Sequence, residues 1–249
     1  MKTFVIAFVV VVLAALGAML ALSHTRSARS GEVVTETRVA TGFHSIEVDG
    51  QVDVTLVQGV NEGVTVEAPA TLLRRVRTEV RDGTLVIDAA REHHGWDWLT
   101  GSGAAKAVRV TVNLRELDRV EAAGAVSIAA DSLKANELFL DFAGASKLRI
   151  GALQATQLKL DAAGATKAEI GGRVARQDVD LSGAGSYDAG RLVSDDAVVD
   201  VSGAGKALVN VRNTLKVDIA GAGKVEYIGD PKLRQSISGI GKVIRREGS

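Results

Sequence analysis

Cysteine is absent from this chain, proline occurs only twice and aromatic residues make up 4%. The missing cysteine excludes disulfides, thiolate metal centres and an acylated N-terminal cysteine. Few aromatics beside 27 glycines argue against a helix bundle and for thin, small-residue strands joined by many turns. Charge of one sign is missing too, because 30 Lys and Arg balance 30 Asp and Glu. No basic excess is left to condense on nucleic acid, and no global field steers a charged ligand. Nucleic acid is therefore excluded as a partner. What is present is a 46% apolar content over 249 residues, enough to bury a core.

One long apolar run occurs. After Met1 and Lys2, residues 4–22 carry no charge and are followed by the polar "SHTRSARSGE". The run reads as a signal peptide with a small-residue exit at Ala21-Leu22-Ser23, or as a retained anchor of about 20 residues. Both place the body outside the cytoplasm, in the periplasm or cell envelope, with membrane contact only through residues 4–22 if the segment is not cleaved. Residues 1–23 are thus assigned to export, and residues 24–40 to a polar linker.

From residue 41 the pattern is β. In "FHSIEVDGQVDVTLVQG", Ile46, Val48, Val52, Val54 and Leu56 alternate with polar neighbours, as half-buried strands do. "GVTVEA", "GTLVIDAA" and "AVRVTVNL" repeat that signature across 41–119. Between them "PATLLRRVRTEV" has only a weak helical look, and its charges and branched residues also fit a strand edge or turn.

Over 120–246 a longer period takes over. "VEAAGAVSIAA", "LDFAGASKLRIGA", "LDAAGATKAEIGG", "VDLSGAGSYDAGR", "VDVSGAGKALVNV", "VDIAGAGKVEYIGD" and "SISGIGKVIRRE" share one form. Their glycines, Gly124, Gly144, Gly164, Gly183, Gly203, Gly221 and Gly239, are spaced by 20, 20, 19, 20, 18 and 18 residues. A fixed period near 20 marks a solenoid whose units bury their apolar faces by stacking. It is too short for a strand, a crossover helix and a second strand, and the leucine-rich consensus is missing. An all-β parallel β-helix with about 18–20 residues per coil is predicted, with aligned positions about 4.8 Å apart. The expected inward columns are Leu140, Leu160, Val179, Val199 and Val217; Phe142, Ala162, Leu181, Val201 and Ile219; and, past the corner, Ala145, Ala165, Ala184, Ala204 and Ala222.

Two charged columns flank the corners. Glu121, Asp141, Asp161, Asp180, Asp200 and Asp218 stand three residues before the glycines. Lys147, Lys167, Lys206, Lys224 and Lys242 stand three after them, with Ser127 and Ser186 in the gaps. Stacked like charges repel, so the two columns are expected to neutralise each other around the corner, with Lys206 paired to Asp200 or its neighbours. The alternatives are a calcium ladder on the carboxylates or a surface that recognises a regularly charged partner.

Other chemistry finds little support. The lysines follow glycine as in a phosphate loop, but Ala207, Val225 and Val243 stand where that motif needs Ser or Thr. No catalytic residue, cofactor or metal is assigned. "REHHGWDWLTGSG", residues 91–103, departs most from its surroundings. Trp96 and Trp98 could stack on a sugar face; His93 and His94, with Glu92 and Asp97, could bind a metal, although adjacent histidines on an extended chain point to opposite sides. The plain alternative is an exposed loop between strands. His93, His94, Trp96 and Trp98 are kept as candidate ligand contacts.

The repeated "GAGK" corners, the leading "FHSIEVDGQVDVTLVQG" and "LRELDRVEAAGAVSI" running into the coils resemble the putative auto-transporter adhesin, head GIN domain family of bacterial envelope proteins, over residues 41–246. The resemblance implies a right-handed parallel β-helix-like fold, export and a binding or adhesion role. It brings no catalytic residues. The leading expectation is a non-enzymatic envelope protein that presents a rigid solenoid surface to a protein or polysaccharide. The alternatives are a polysaccharide lyase or hydrolase on a parallel β-helix, and a structural solenoid that assembles end to end, against which the charged ending "GKVIRREGS" looks like a cap.

Overall fold

The corner glycines of the repeat stack into one column. In a computed structural model of the protein, which describes residues 32–89 and 108–247, Gly124, Gly144, Gly164, Gly183, Gly203, Gly221 and Gly239 lie in register on neighbouring parallel strands. Gly50, from the leading segment, lies in register below Gly124. The chain is a β-solenoid.

The alternation of the sequence sets which residues turn inward. In β2 (Ser45–Gln58), Ile46, Val48, Val52, Val54 and Leu56 are buried while their neighbours are not. Above it β7 (Arg119–Lys134), β8 (Glu137–Gly144), β9 (Lys147–Gly164), β10 (Lys167–Gly183), β11 (Ser186–Gly203), β12 (Lys206–Gly221), β13 (Lys224–Ile228), β14 (Lys232–Gly239) and β15 (Lys242–Arg245) continue the stack, all in parallel pairs. Each coil has an approach side that ends at the corner glycine, a departure side beyond it, and a shorter third side. The unequal period of 18–20 residues is absorbed after the departure side. Register shifts fall between Ile170 and Gly172, Ala189 and Val193, and Ser194 and Asp196, while the glycine corners stay aligned.

The corner tolerates no side chain. At Gly164, with φ +105°, a Cβ would stand 2.6 Å from the carbonyl oxygen of Gly144. Both the left-handed torsion and the close approach of the coil below demand glycine.

The first two expected inward columns are buried as read, with Leu160, Val179, Val199 and Val217 at 0% exposure. Their members also compensate in size. Phe142 lies in register between Ala122 and Ala162, and Tyr187 between Ala168 and Ala207, so each large ring has a small residue above and below. The third expected column is corrected: Ala145, Ala165, Ala184, Ala204 and Ala222 are exposed. The position after each alanine turns inward instead, as Ser146, Thr166, Gly185, Gly205 and Gly223. The switch to glycine follows the facing column. A Cβ on Gly223 would lie 2.6 Å from Val201 Cγ1 and 3.2 Å from Ile219 Cγ2, whereas Ser146 and Thr166 belong to coils that carry Phe142 and Ala162. In "GAG" the first glycine thus serves the backbone, the alanine faces solvent, and the second glycine makes room for a branched neighbour.

The two ends differ. At the N-terminal end β5 (Thr84–Ala89) and β6 (Val108–Leu114) form a further parallel layer against β2. β3 (Gly63–Pro69) pairs antiparallel with β6, β1 (Val33–Arg38) with β3, and β4 (Arg77–Arg81) with β5. A one-turn helix α1 (Ala70–Leu73) precedes β4 and buries Leu73. The segment expected as a linker over 24–40 therefore contains a paired strand, which Arg38 ties down by donating to the Val76 carbonyl at 2.8 Å and to Thr78 Oγ1 at 3.1 Å. At the C-terminal end the charged ending forms no cap. Lys242–Arg245 is itself strand β15, and Leu233, Ile237, Ile240 and Ile244 are exposed.

Candidate binding face

The two charged columns exist and are longer than the repeat alone indicates. Glu121, Asp141, Asp161, Asp180, Asp200 and Asp218 are in register from coil to coil, with Glu47 below Glu121 and Ser236 closing the other end. On the departure side Lys147, Lys167, Ser186, Lys206, Lys224 and Lys242 align, and Ser127 and Asp53 continue the column downward. The glycine ridge runs between them.

The columns do not neutralise each other. Among the described residues no ion pair joins an acid of the first to a lysine of the second, and the expected pairing of Lys206 with Asp200 is not formed. Counter-charges come from two residues along the same strand, where side chains return to the same face. Lys159 Nζ lies 2.9 Å from Asp161, Lys216 Nζ 2.6 Å from Asp218, Lys167 Nζ 2.7 Å from Glu169, Lys224 Nζ 3.0 Å from Glu226, and Arg119 Nη1 3.3 Å from Glu121. The carboxylate partners hold the ammonium groups of Lys159, Lys167 and Lys216 above the ordinary lysine range. Such pairs on an open surface add little stability; their effect is to let like charges stack.

The pairing is incomplete. Asp141, Lys147, Lys206 and Lys242 stay outside the ion pairs formed among the described residues. Partial burial, followed by the charge of Asp218 in the next coil, pushes the Asp200 carboxyl up. The sequence signal for the lateral pairs is a lysine two residues before an acid, in "KLD", "KAE", "KVD" and "KVE"; the corner glycines drew attention to the neighbouring coils instead. No group of three or more His, Asp or Glu placed to hold a metal ion occurs among the described residues.

His93, His94, Trp96 and Trp98 lie outside the described residues, as do the apolar residues 4–22. The residues that flank the histidine- and tryptophan-bearing segment are described. Ala89 is in register with Gly50, and Val108 with Val52. Among the described residues no helix is long and apolar enough to cross a membrane.

Known proteins agree with this geometry. The solenoid is similar to the crystal structures of a putative adhesin from Bacteroides fragilis (TM-score 0.75, 17% identity, covering 87% of this chain and 97% of that one) and of a putative lipid binding protein from Parabacteroides distasonis (0.66, 20%, 87% and 97%). It is also similar to a putative adhesin from Parabacteroides merdae (0.62, 21%, 87% and 97%). At these identities the likeness establishes the fold. No curated protein sequence matches the chain. Residues 42–231 match the family model described as putative auto-transporter adhesin, head GIN domain, and with most of its length so matched the chain belongs to that family.

Proposed function

We propose that the protein is a non-enzymatic component of the cell envelope, exported by residues 4–22, whose solenoid holds a protein or polysaccharide partner against its lateral face. The observation that carries the reading is the pair of charged columns. They flank a backbone ridge that leaves no room for a side chain, they repeat at strand spacing, and they retain members such as Asp141, Lys147 and Lys206 that form no ion pair among the described residues. A rigid backbone that spaces its charges regularly meets a regular partner without the cost of ordering the chain that carries them. Membership of a family described as adhesins supports the same reading. Trp96, Trp98, His93 and His94 are proposed to add contacts, since the described residues on either side of their segment, Ala89 and Val108, pair with Gly50 and Val52 at the N-terminal end of these columns.

The test is a glycan array together with an envelope pull-down, using the full chain in detergent. A retained ligand whose binding weakens in Trp96→Ala/Trp98→Ala supports both the face and the loop. Retention unaffected by that variant removes the loop from the reading, and an empty array with an empty pull-down removes the reading itself.

A further inference from the structure

The last coil is built unlike the ones beneath it. In β14, Leu233 and Ile237 continue core columns whose previous members, Leu215 and Ile219, are buried. Both are themselves 36–40% exposed, and every residue of β14 is exposed. On the departure side the column of exposed corner alanines ends in Ile240, 81% exposed, and the position of Leu208 and Glu226 ends in Ile244. Along one edge of β14 and β15 no further strand pairs among the described residues. The N-terminal end shows how this chain closes a coil when it does so: antiparallel β3 lies over β6, with Val64, Val66 and Ala68 at 0% exposure.

The polar positions of the same edge carry one sign. The outward columns of the approach side end in Lys232 and Arg234, and the lysine column ends in Lys242. None of the three is in an ion pair among the described residues. A groove lined by Arg176, Asp196, Thr214, Lys216, Lys232 and Arg234 leads onto this edge. Within it Asp196 is engaged by the Thr214 hydroxyl and Lys216 by Asp218. Charges on an exposed edge can serve simply to keep other strands away. That device places charge where a docking strand would bury it, whereas here the inward positions Leu233, Gln235 and Ile237 are uncharged, two of them apolar with Gln235 ending the buried Val217 column, and the cations lie outward.

We propose that β14 is an acceptor for an extended acidic segment of a partner protein, which adds as the next strand of the solenoid. Its alternate apolar side chains cover Leu233 and Ile237, and its intervening carboxylates meet Lys232 and Arg234. Main-chain hydrogen bonds to the free edge supply affinity, and the alternation supplies register. The same strand of a second copy is disfavoured as occupant, since it would bring Lys232 and Arg234 against their own kind. The inference rests on the reading of the chain as a binding protein, but the site is the end coil and not the lateral face, so either can fail alone.

The test uses the full chain and three fluorescein-labelled peptides of eight residues: one alternating Glu with Val or Ile, a scramble of the same composition, and a version with Lys for Glu. Anisotropy at low salt should show binding of the acidic alternating peptide only, with new hydrogen-exchange protection of the β14 amides. Lys232→Glu/Arg234→Glu should weaken it by about tenfold or more and transfer binding to the lysine peptide. That transfer shows that the variant is folded. Equal binding of the scramble, an acidic peptide unaffected by the double substitution, no binding of any peptide, or a dimer in sedimentation that protects β14 without peptide would each overturn the proposal.

Discussion

Tyr187 donates its hydroxyl hydrogen to Gln177 Oε1 at 2.9 Å inside the solenoid, where both side chains are fully buried. Gln177 Nε2 in turn donates to Ser194 Oγ at 2.7 Å, and that hydroxyl donates to the Asn210 carbonyl at 3.2 Å. The chain of bonds links the departure, approach and third sides of the coil across an interior that is otherwise almost wholly apolar. Burial pushes the Tyr187 hydroxyl far up, so it stays a donor at any ordinary pH. Tyr187→Phe keeps the ring between Ala168 and Ala207 but leaves Gln177 Oε1 without its partner. A loss of about 1–3 kcal/mol is expected in urea unfolding, with unchanged far-UV circular dichroism.

The glycine column leaves no room for a side chain. Gly164→Ala combines a disfavoured torsion with a 2.6 Å approach to the Gly144 carbonyl oxygen. A cost of at least ~2 kcal/mol follows from the torsion and the overlap together. Ala165→Ser, one residue further and exposed, should fall within about 0.5 kcal/mol of wild type. Equal stability of the two variants in parallel denaturation would contradict the assignment of the corner.

Lys206→Ala removes a charge that has no ion pair among the described residues. Its stability should lie within about 0.5 kcal/mol of wild type. Asp200→Asn should instead be stabilising at neutral pH, by about 0.2–1 kcal/mol, because it removes a partly buried charge stacked between Asp180 and Asp218. The sign follows from the raised carboxyl: the folded state binds the proton more tightly than the unfolded one, so the advantage of the Asn variant shrinks as pH falls through the folded value toward 3.8. Thermal melts of both proteins from pH 7 to pH 3 measure it.

Glu62 gives the opposite dependence. Its carboxylate accepts from the Gly42 N–H at 2.8 Å and from Arg115 Nε at 2.9 Å, contacts that hold it below the ordinary 4.5. A depressed folded value contributes stability that is present above 4.5 and is lost as pH falls through that lower value. Glu62→Gln should therefore be less stable than wild type at pH 7, and the gap should close below pH 4.5. A gap that stays constant to pH 2 would place the effect of Glu62 elsewhere.

The period of the corner glycines was enough to foresee parallel coils and the columns headed by Leu140 and Phe142, since a repeat that must bury itself on its neighbours leaves few other solutions. What periodicity left open was which way the residues beyond the corner face. Ala145 and Ser146 are both small, and inside the later coils the branched Val201 and Ile219 on the facing strand leave room only for Gly205 and Gly223. Gly50 was hidden because 74 residues separate it from Gly124 in the chain, although the two touch in space. The lateral pairs are written in "KLD" and "KVD", but a column of like charge suggests a partner column just as readily. The C-terminal end is ambiguous for a similar reason. "GKVIRREGS" carries the charges of a cap, yet its lysine and valine simply extend the columns of Lys224 and Val225.

The lateral charged columns are proposed to hold a partner and to catalyse nothing. The measurement that bears on it most directly is retention of envelope fractions by the immobilised full chain, compared between wild type and Lys147→Ala/Lys167→Ala/Lys206→Ala/Lys224→Ala, with circular dichroism as the check on folding. A retained protein or polysaccharide is expected, with capture falling by about tenfold or more in the folded variant and in raised salt. Undiminished capture by the variant, or release of reducing or unsaturated sugar from the retained polymer that a single carboxylate substitution abolishes, would contradict it.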